Sequence, residues 1–176
     1  MRHAAWSIRR DGLAPIPFMA VNRPDSPSYR RGLQRHHLVP QQVQRIGAFR
    51  RMFDSLGPEP VGMNDFRRNG LLLPASEAEA LRTGLPLHRG PHARYTAMVI
   101  ERVGGIEHGW SRGRGHASWV EALVALDALQ KALRRELLDP RCWRKRPLHA
   151  RDPALDFSHL DAMADLLWGA TAPVSG

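Results

Sequence analysis

Four of the nine histidines in the chain fall into two tight groups whose spacing suits metal chemistry. His36 and His37 are adjacent, and neighbours on an extended segment point to opposite sides, so one can face a metal ion while the other faces a substrate. His88 and His92 are four residues apart, which places both imidazoles on one side of a helical turn, within reach of one ion. Because Pro91 suits the first position of a helix, His88 would precede that helix and His92 would lie in its first turn.

A site built from these four imidazoles could carry out hydrolysis. Three of them would fill three positions on Zn²⁺ or a similar ion and leave the fourth position for water or a phosphate oxygen, as in a catalytic metal site. The remaining imidazole has an ordinary pKa near neutrality, which suits it to take a proton from water. The spacing alone leaves a structural role open. We expect a surface or structural role for the other histidines: His3, His108, His116, His149 and His159.

The charge of the chain favours a polyanionic partner. Lys and Arg number 26 against 17 Asp and Glu, which gives a formal net charge of +9. The excess is concentrated in residues 1–60, where ten arginines stand against four acids. Such an excess attracts polyanions and suits an arm that lies along a phosphate backbone. A solvated, arginine-rich surface explains the charge equally well.

Composition and length set bounds on the class of protein. Hydrophobic residues make up 43% of the 176 residues, which excludes a disordered polymer and allows one domain with extensions. The single cysteine, Cys142, excludes an internal disulfide framework and a cysteine-based zinc finger. No apolar run approaches the roughly 20 residues that cross a bilayer, and Pro15 and Pro17 interrupt the stretch after Arg9-Arg10. We expect a soluble protein, cytoplasmic by default, that makes no contact with a membrane.

The first half of the chain is predicted to hold a helix and a strand. Residues 1–32 mix Arg, Pro, Ser and Asn without periodicity and predict a basic extended arm. Apolar residues at helical spacing predict a helix over 41–56, stopped by Gly57-Pro58. The turn signal Asn69-Gly70 precedes a predicted buried strand over 71–73. A short helix is expected over 77–82.

The second half is predicted to be helical with a flexible interruption. A helix over 91–102 would end at Gly104-Gly105, and the glycine-rich run 109–115 predicts a flexible linker. The clearest helix spans 118–138, capped by Ser118, and a last one is expected over 158–168. The helix over 118–138 has an apolar stripe of Trp119, Leu123, Leu126, Leu133 and Leu137.

Three runs of the chain resemble the AHH nucleases of the HNH/endonuclease VII superfamily, also called His-Me finger or ββα-metal nucleases. In that family an HH pair, an apolar run and Pro precede an N-G-x-x-L-P segment and then an H-x-G-x-H-x-x-Y segment. All three blocks occur here in that order, within residues 33–103. One departure is Arg35, which stands where the family name expects Ala. The matching runs are His36-His37-Leu38-Val39-Pro40, Asn69-Gly70-Leu71-Leu72-Leu73-Pro74 and Leu87-His88-Arg89-Gly90-Pro91-His92-Ala93-Arg94-Tyr95.

The resemblance implies a role for each histidine of the two groups. His36 would bind one divalent metal ion, Zn²⁺ or Mg²⁺/Mn²⁺, and His37 would be the general base, although the two roles could be exchanged. His88 and His92 would complete the metal site. Asn69 would hold the base loop or the imidazole in orientation, since an amide can donate and accept hydrogen bonds.

Two arginines beside the predicted ligands are candidates for substrate binding. Arg89 and Arg94 could each clamp a phosphate through two hydrogen bonds. A role as surface arginines at the start of a helix stays open for both.

The resemblance also implies a fold. We expect an α+β protein, mostly helical, in which a ββα-metal core over 33–105 follows the arm of residues 1–32. Residues 106–176 would form a linker and a helical C-terminal extension.

The expected function is that of a metal-dependent endonuclease that hydrolyses phosphodiester bonds of nucleic acid, with DNA favoured over RNA. Because nucleases of this family often serve as toxins in bacterial conflict, the resemblance leaves open secretion as a toxin effector and an immunity or inhibitor protein as partner. The main alternative is a non-catalytic, zinc-stabilised nucleic-acid-binding module. A third possibility is a helical interaction protein in which the helix over 118–138 matters most.

Overall fold

The computed structural model describes residues 13–88, 93–113, 115–139 and 141. In this part of the chain the protein is mostly helical and has one small sheet, which confirms the predicted α+β class. The elements in chain order are a 3-10 helix Phe18–Ala20, β1 Leu33–His37, a 3-10 helix Gln41–Arg45, α1 Gly47–Leu56, α2 Pro58–Val61, α3 Phe66–Asn69, β2 Gly70–Pro74, α4 Glu77–Thr83, α5 Ala93–Arg112 and α6 Gly115–Leu138. The last helix, expected over 158–168, lies outside the described residues.

The sheet consists of β1 and β2, which pair in antiparallel register. Leu33 faces Pro74 at one end of the pairing and His37 faces Gly70 at the other. The strand predicted over 71–73 is therefore confirmed and is one residue longer at each end. The register places the histidine pair at the end of the sheet where β2 begins.

The helix predicted over 41–56 is divided at Ile46. This residue has extended backbone angles, φ −69° and ψ 121°, so the 3-10 helix Gln41–Arg45 and α1 Gly47–Leu56 are separate elements. Val43 and Phe49 are both buried, so the apolar residues on either side of the break still face the core. Gly57 ends α1 as predicted, and its φ of 79° lies in the left-handed region that glycine adopts readily.

The predicted end of a helix at Gly104-Gly105 is wrong, because α5 continues to Arg112. A glycine inside a helix costs about 1 kcal/mol relative to alanine, which tertiary packing can offset. At Gly104 a Cβ would lie 3.8 Å from the ring of Phe49 on α1, which is an ordinary van der Waals distance between two packed helices. The contact between α1 and α5 at Gly104 therefore offsets part of this cost, whereas Gly105 makes no such contact.

The flexible linker predicted over 109–115 is also wrong, since only a short connection separates α5 from α6. The helix α6 begins at Gly115, whose φ is 74°, and not at Ser118. Ser118 is buried inside the first turn, and its hydroxyl donates to the carbonyl of Gly115 at 3.1 Å. It is therefore not the cap that the sequence predicted.

The core forms one cluster that joins the sheet to α1, α5 and α6. The predicted leucine stripe of α6 is confirmed as part of it, whereas Trp119 is only partly buried and donates through Nε1 to the carbonyl of Ser55. The boundary predicted at residue 105 falls inside α5. The division of the chain into an arm, a core and an extension stays a prediction. None of the helices in the described ranges is long and apolar enough to span a membrane.

Candidate functional site

The strand β1 directs its two histidines to opposite sides. His36 is buried, with 4% of its surface exposed, whereas His37 is only half-buried. The ring centroid of His36 lies 4.9 Å from that of His88 and 5.2 Å from that of Tyr95, both in edge-to-face arrangements. The alternation of side chains along a strand therefore places the adjacent pair in two different environments.

His88 is held at the edge of the sheet by two hydrogen bonds. Its backbone N–H donates to the carbonyl of Pro74, the last residue of β2, at 2.6 Å. Its ring Nδ1 lies 3.2 Å from Oε1 of Gln34 on β1. In the tautomer with the proton on Nδ1, this nitrogen donates to the amide oxygen and Nε2 keeps its lone pair for a metal ion. Burial lowers the pKa of His88, which favours the neutral ring that a metal ligand requires.

The arrangement of His36 and His88 fits a shared metal ion. Two imidazole nitrogens bound to one Zn²⁺ at about 2.0–2.1 Å stand roughly 3.3 Å apart. Ring centroids 4.9 Å apart are compatible with that separation, and neutral imidazoles suit zinc and other transition ions. Within residues 13–88, 93–113 and 115–139, no group of three or more His, Cys, Asp or Glu could hold a metal ion. The structure thus brings together two of the three predicted ligands.

The other predicted residues of the second histidine group cannot be placed. His92 and Arg89 lie outside the described residues. Arg94 belongs to the first turn of α5, but its side chain is not among those described. The third metal ligand and the two phosphate contacts therefore stay predictions.

His37 packs flat against an aromatic ring from the N-terminal region. The centroids of His37 and Phe18 are 3.7 Å apart, and the ring planes differ by only 5°. The side-chain amide nitrogen of Gln41 lies 3.1 Å from Nε2 of His37. Burial lowers the pKa of His37, and the positive charge of Arg35 lowers it further. The ring is therefore neutral near pH 7, which is the form that can accept a proton.

Asn69 fixes the chain where it leaves β1. Its side chain is fully buried, and its Oδ1 accepts from the N–H of Val39 at 2.8 Å. Its Nδ2 donates to the carbonyls of Val39 and Met63 at 3.0 and 3.1 Å. Its own carbonyl accepts from the N–H of Leu38 at 2.8 Å. Asn69 thus contacts the backbone that follows His37 and not the imidazole.

Tyr95 holds the same segment through its hydroxyl group. Its hydroxyl donates to the carbonyl of Leu38 at 2.5 Å, and its ring packs edge-on against His36. Burial raises the pKa of Tyr95, so the hydroxyl stays protonated and able to donate. The sequence placed Tyr95 in the core without predicting this bond. Its fixed place after the second histidine group was the signal that could have indicated it.

The N-terminal region contacts the site through residues 16–18. The N–H of Ile16 donates to Oδ1 of Asp65 at 3.0 Å, and the N–H of Phe66 donates to the carbonyl of Ile16 at 2.7 Å. These bonds join the segment to α3, and Phe18 follows directly. No local pattern in the sequence marks Phe18 or Gln34, because each contacts a histidine from a distant part of the chain. Gln41 lies only four residues after His37, but its type alone does not indicate this contact.

Comparison with known proteins agrees with the motifs of this site. The sequence model of the AHH family, described as a nuclease family of the HNH/ENDO VII superfamily with conserved AHH, matches residues 18–133. No curated protein and no solved structure matches the chain. The family match covers about two thirds of the sequence and includes both strands, α1 to α5 and most of α6. The chain therefore belongs to the AHH family of nucleases.

Proposed function

We propose that the protein is a metal-dependent endonuclease that hydrolyses phosphodiester bonds of DNA. In this proposal His37 is the general base, and His36, His88 and His92 bind one divalent ion. The observation that carries it is the division of the two histidines of β1. His36 meets His88 on the buried side, and His37 lies half-buried on the opposite face of the strand.

The order of elements around the histidines supports a ββα-metal core. The strands β1 and β2 precede α5 in the chain, and His88 lies between β2 and α5. His36 comes from the first strand, and His92 directly precedes α5. A metal site formed by these residues would therefore connect all three elements.

The bound ion would stabilise the negative charge that develops on the phosphate and on the leaving 3′-oxygen. The protein residues have the other tasks. His36 and His88 present imidazole nitrogens, and Gln34 fixes the orientation of His88 through Nδ1. Arg89 and Arg94 clamp phosphate oxygens beside the site.

His37 takes the proton from the attacking water on a ring nitrogen. A glutamine amide can turn either its oxygen or its nitrogen to a partner, so Gln41 can fix the protonated nitrogen or occupy the free one. Asn69 keeps His37 in place indirectly, by binding the backbone of Val39. Tyr95 does the same through the carbonyl of Leu38.

Incubation of the purified full chain with supercoiled plasmid and with structured RNA tests the proposal. Each substrate is combined with Mg²⁺, Mn²⁺, Zn²⁺ or EDTA. We expect metal-dependent cleavage of the plasmid by the wild type and none in EDTA. His37→Ala should lose turnover and keep nucleic-acid binding, whereas His108→Ala, an exposed histidine on α5, should cleave as the wild type does.

Other outcomes would change the assignment. Cleavage of RNA alone would replace DNA as the substrate. A gel shift without cleavage under every metal would contradict catalysis and favour the zinc-stabilised binding module. A role as a toxin with an immunity protein rests on the family resemblance alone and stays a prediction.

A further inference from the structure

We propose that Phe18 is a positioning residue of the site: its ring sets the plane of the His37 imidazole, and Arg35 holds Phe18 in place. The inference rests on the proposed function, in which His37 accepts a proton. It assigns a role to a segment that the sequence predicted only as part of a basic arm.

The stack between the two rings leaves His37 little freedom to tilt. Their centroids are 3.7 Å apart with nearly parallel planes, which is ordinary van der Waals contact over the whole ring face. Phe18 is itself buried, and its ring meets Phe66 edge-on at 5.2 Å. An imidazole alone turns broadly about its last side-chain torsion, so a fixed ring against its face restricts that rotation.

Arg35 anchors the backbone of the segment that carries Phe18. Its Nη1 donates to the carbonyl of Phe18 at 3.0 Å and to that of Val21 at 3.3 Å. Arg35 and His37 are two residues apart on β1, so their side chains leave the strand on the same face. One face of one strand thus carries both the imidazole and the group that holds its stacking partner. Arg35 stands in the place of the alanine in the family's AHH sequence, and an alanine could make neither bond.

The space opposite His37 on the sheet supports the same arrangement. The cross-strand partner of His37 is Gly70, and a Cβ at that position would overlap the ring of Phe66. Because Gly70 has no side chain, Phe66 can lie against the strand and support the edge of Phe18. A continuous series of contacts thus runs from β2 to the imidazole, through Gly70, Phe66, Phe18 and His37.

The test compares Phe18→Leu, which stays apolar but has no ring, with Phe18→Tyr, which keeps the ring. Kinetics on the cleaved nucleic acid separate kcat from KM. The carbon-bound ring protons of His37 are followed by NMR in metal-free protein and assigned by their loss in His37→Gln. A ring stacked at this distance shifts those protons upfield, so this readout reports the stack directly and needs no activity.

We expect Phe18→Leu to lower kcat about tenfold, since misplacement of a catalytic group is costly, and to leave KM nearly unchanged. The His37 protons should lose their upfield shift. Phe18→Tyr should restore both readouts. Arg35→Ala should change them in the same direction as Phe18→Leu, and Arg45→Ala, an exposed arginine outside the site, should change neither.

Several results would overturn the proposal. One is a Phe18→Leu protein that folds, shows the loss of the shift and keeps its kcat. Another is an equal loss of kcat in the Leu and Tyr variants with unmoved His37 protons, which indicates a structural role only. If Phe18→Leu fails to fold by circular dichroism, Arg35→Ala decides by the same two readouts. Absence of cleavage by the wild type would contradict the proposed function, whereas the NMR shift would still decide whether the ring of Phe18 stacks on His37 in solution.

Discussion

The two histidines of β1 differ in what surrounds them, and that difference supports different chemistry. His36 is enclosed by the rings of His88 and Tyr95, whereas His37 is only half-buried and has one face on Phe18. Burial and the charge of Arg35 both lower the pKa of His37. A base that is neutral at neutral pH needs no prior loss of a proton before it accepts one from water.

The lowered pKa of His37 predicts how stability depends on pH in metal-free protein. The ordinary value is 6.5, so as the pH falls through 6.5 the unfolded chain binds a proton before the folded chain does. The unfolding free energy should therefore be fully retained above pH 6.5 and should fall below it. His88, whose pKa is also lowered, contributes in the same direction.

Thermal unfolding in EDTA between pH 8 and 5 measures this effect. We expect His37→Gln to lose less stability than the wild type over the same interval, because the group that titrates is gone. His108→Gln should follow the wild type. A His37→Gln curve parallel to that of the wild type would contradict the assigned pKa direction.

The amide of Asn69 should be essential for stability as well as for the site. Asn69→Ala would leave the N–H and the carbonyl of Val39 without their buried partner. Buried backbone groups left without a partner cost about 1–3 kcal/mol each, so we expect a loss of at least about 2 kcal/mol. Urea unfolding measures it, with Asn64→Ala on the exposed turn as the control. A loss as small as that of Asn64→Ala would show that the segment after His37 does not depend on Asn69.

At the scale of elements, substitution of two glycines by alanine should change the free energy of unfolding in opposite directions. Gly70 begins β2, where a Cβ would overlap the ring of Phe66, and overpacking of this kind costs about 1–3 kcal/mol. Gly105 lies inside α5 with nothing within 4 Å of a Cβ, and alanine there should stabilise the protein by about 0.5–1 kcal/mol. Chemical denaturation of both variants measures the two changes in the free energy of unfolding. Stabilisation by Gly70→Ala would contradict the contact between β2 and Phe66.

The sequence predicted elements well where one periodicity covers one element. The strand β2 and the helix α4 were found within a residue or two of their ends because turn residues bound them. The break at Ile46 was not predicted, since the apolar spacing continues across it. The continuation of α5 past Gly104 was also not predicted, because the contact with Phe49 comes from a distant part of the chain. Local sequence signals therefore predict where an element ends, except where packing against a distant part of the chain extends the element past such a signal.

At the scale of the whole molecule, the site depends on contacts between distant segments. Gln34 and His88 are 54 residues apart, and Tyr95 and Leu38 are 57 apart. Residue type and spacing could predict that His36 and His88 belong to one site, because imidazoles bind metal ions. Phe18 and Gln34 carry no such mark, since their role follows from the residues that the fold brings beside them.

A metal ion shared by β1 and the loop before α5 should stabilise the folded chain as a whole. Ligand that binds only the folded state raises the unfolding free energy by about 2.7 kcal/mol at one hundred times its Kd. We therefore expect Zn²⁺ to raise the melting temperature of the wild type and EDTA to reverse the change. The comparison is made within each variant, with and without metal, so that any loss of baseline stability cancels.

The same comparison assigns the ligands. His36→Ala and His88→Ala should each abolish the rise that Zn²⁺ causes, because each removes one of the two imidazoles that meet at 4.9 Å. His92→Ala tests the third predicted ligand in the same way, and His108→Ala should keep the full rise. If the rise persists in both His36→Ala and His88→Ala, the ion binds elsewhere and the pair of imidazoles serves only to pack β1 against the loop.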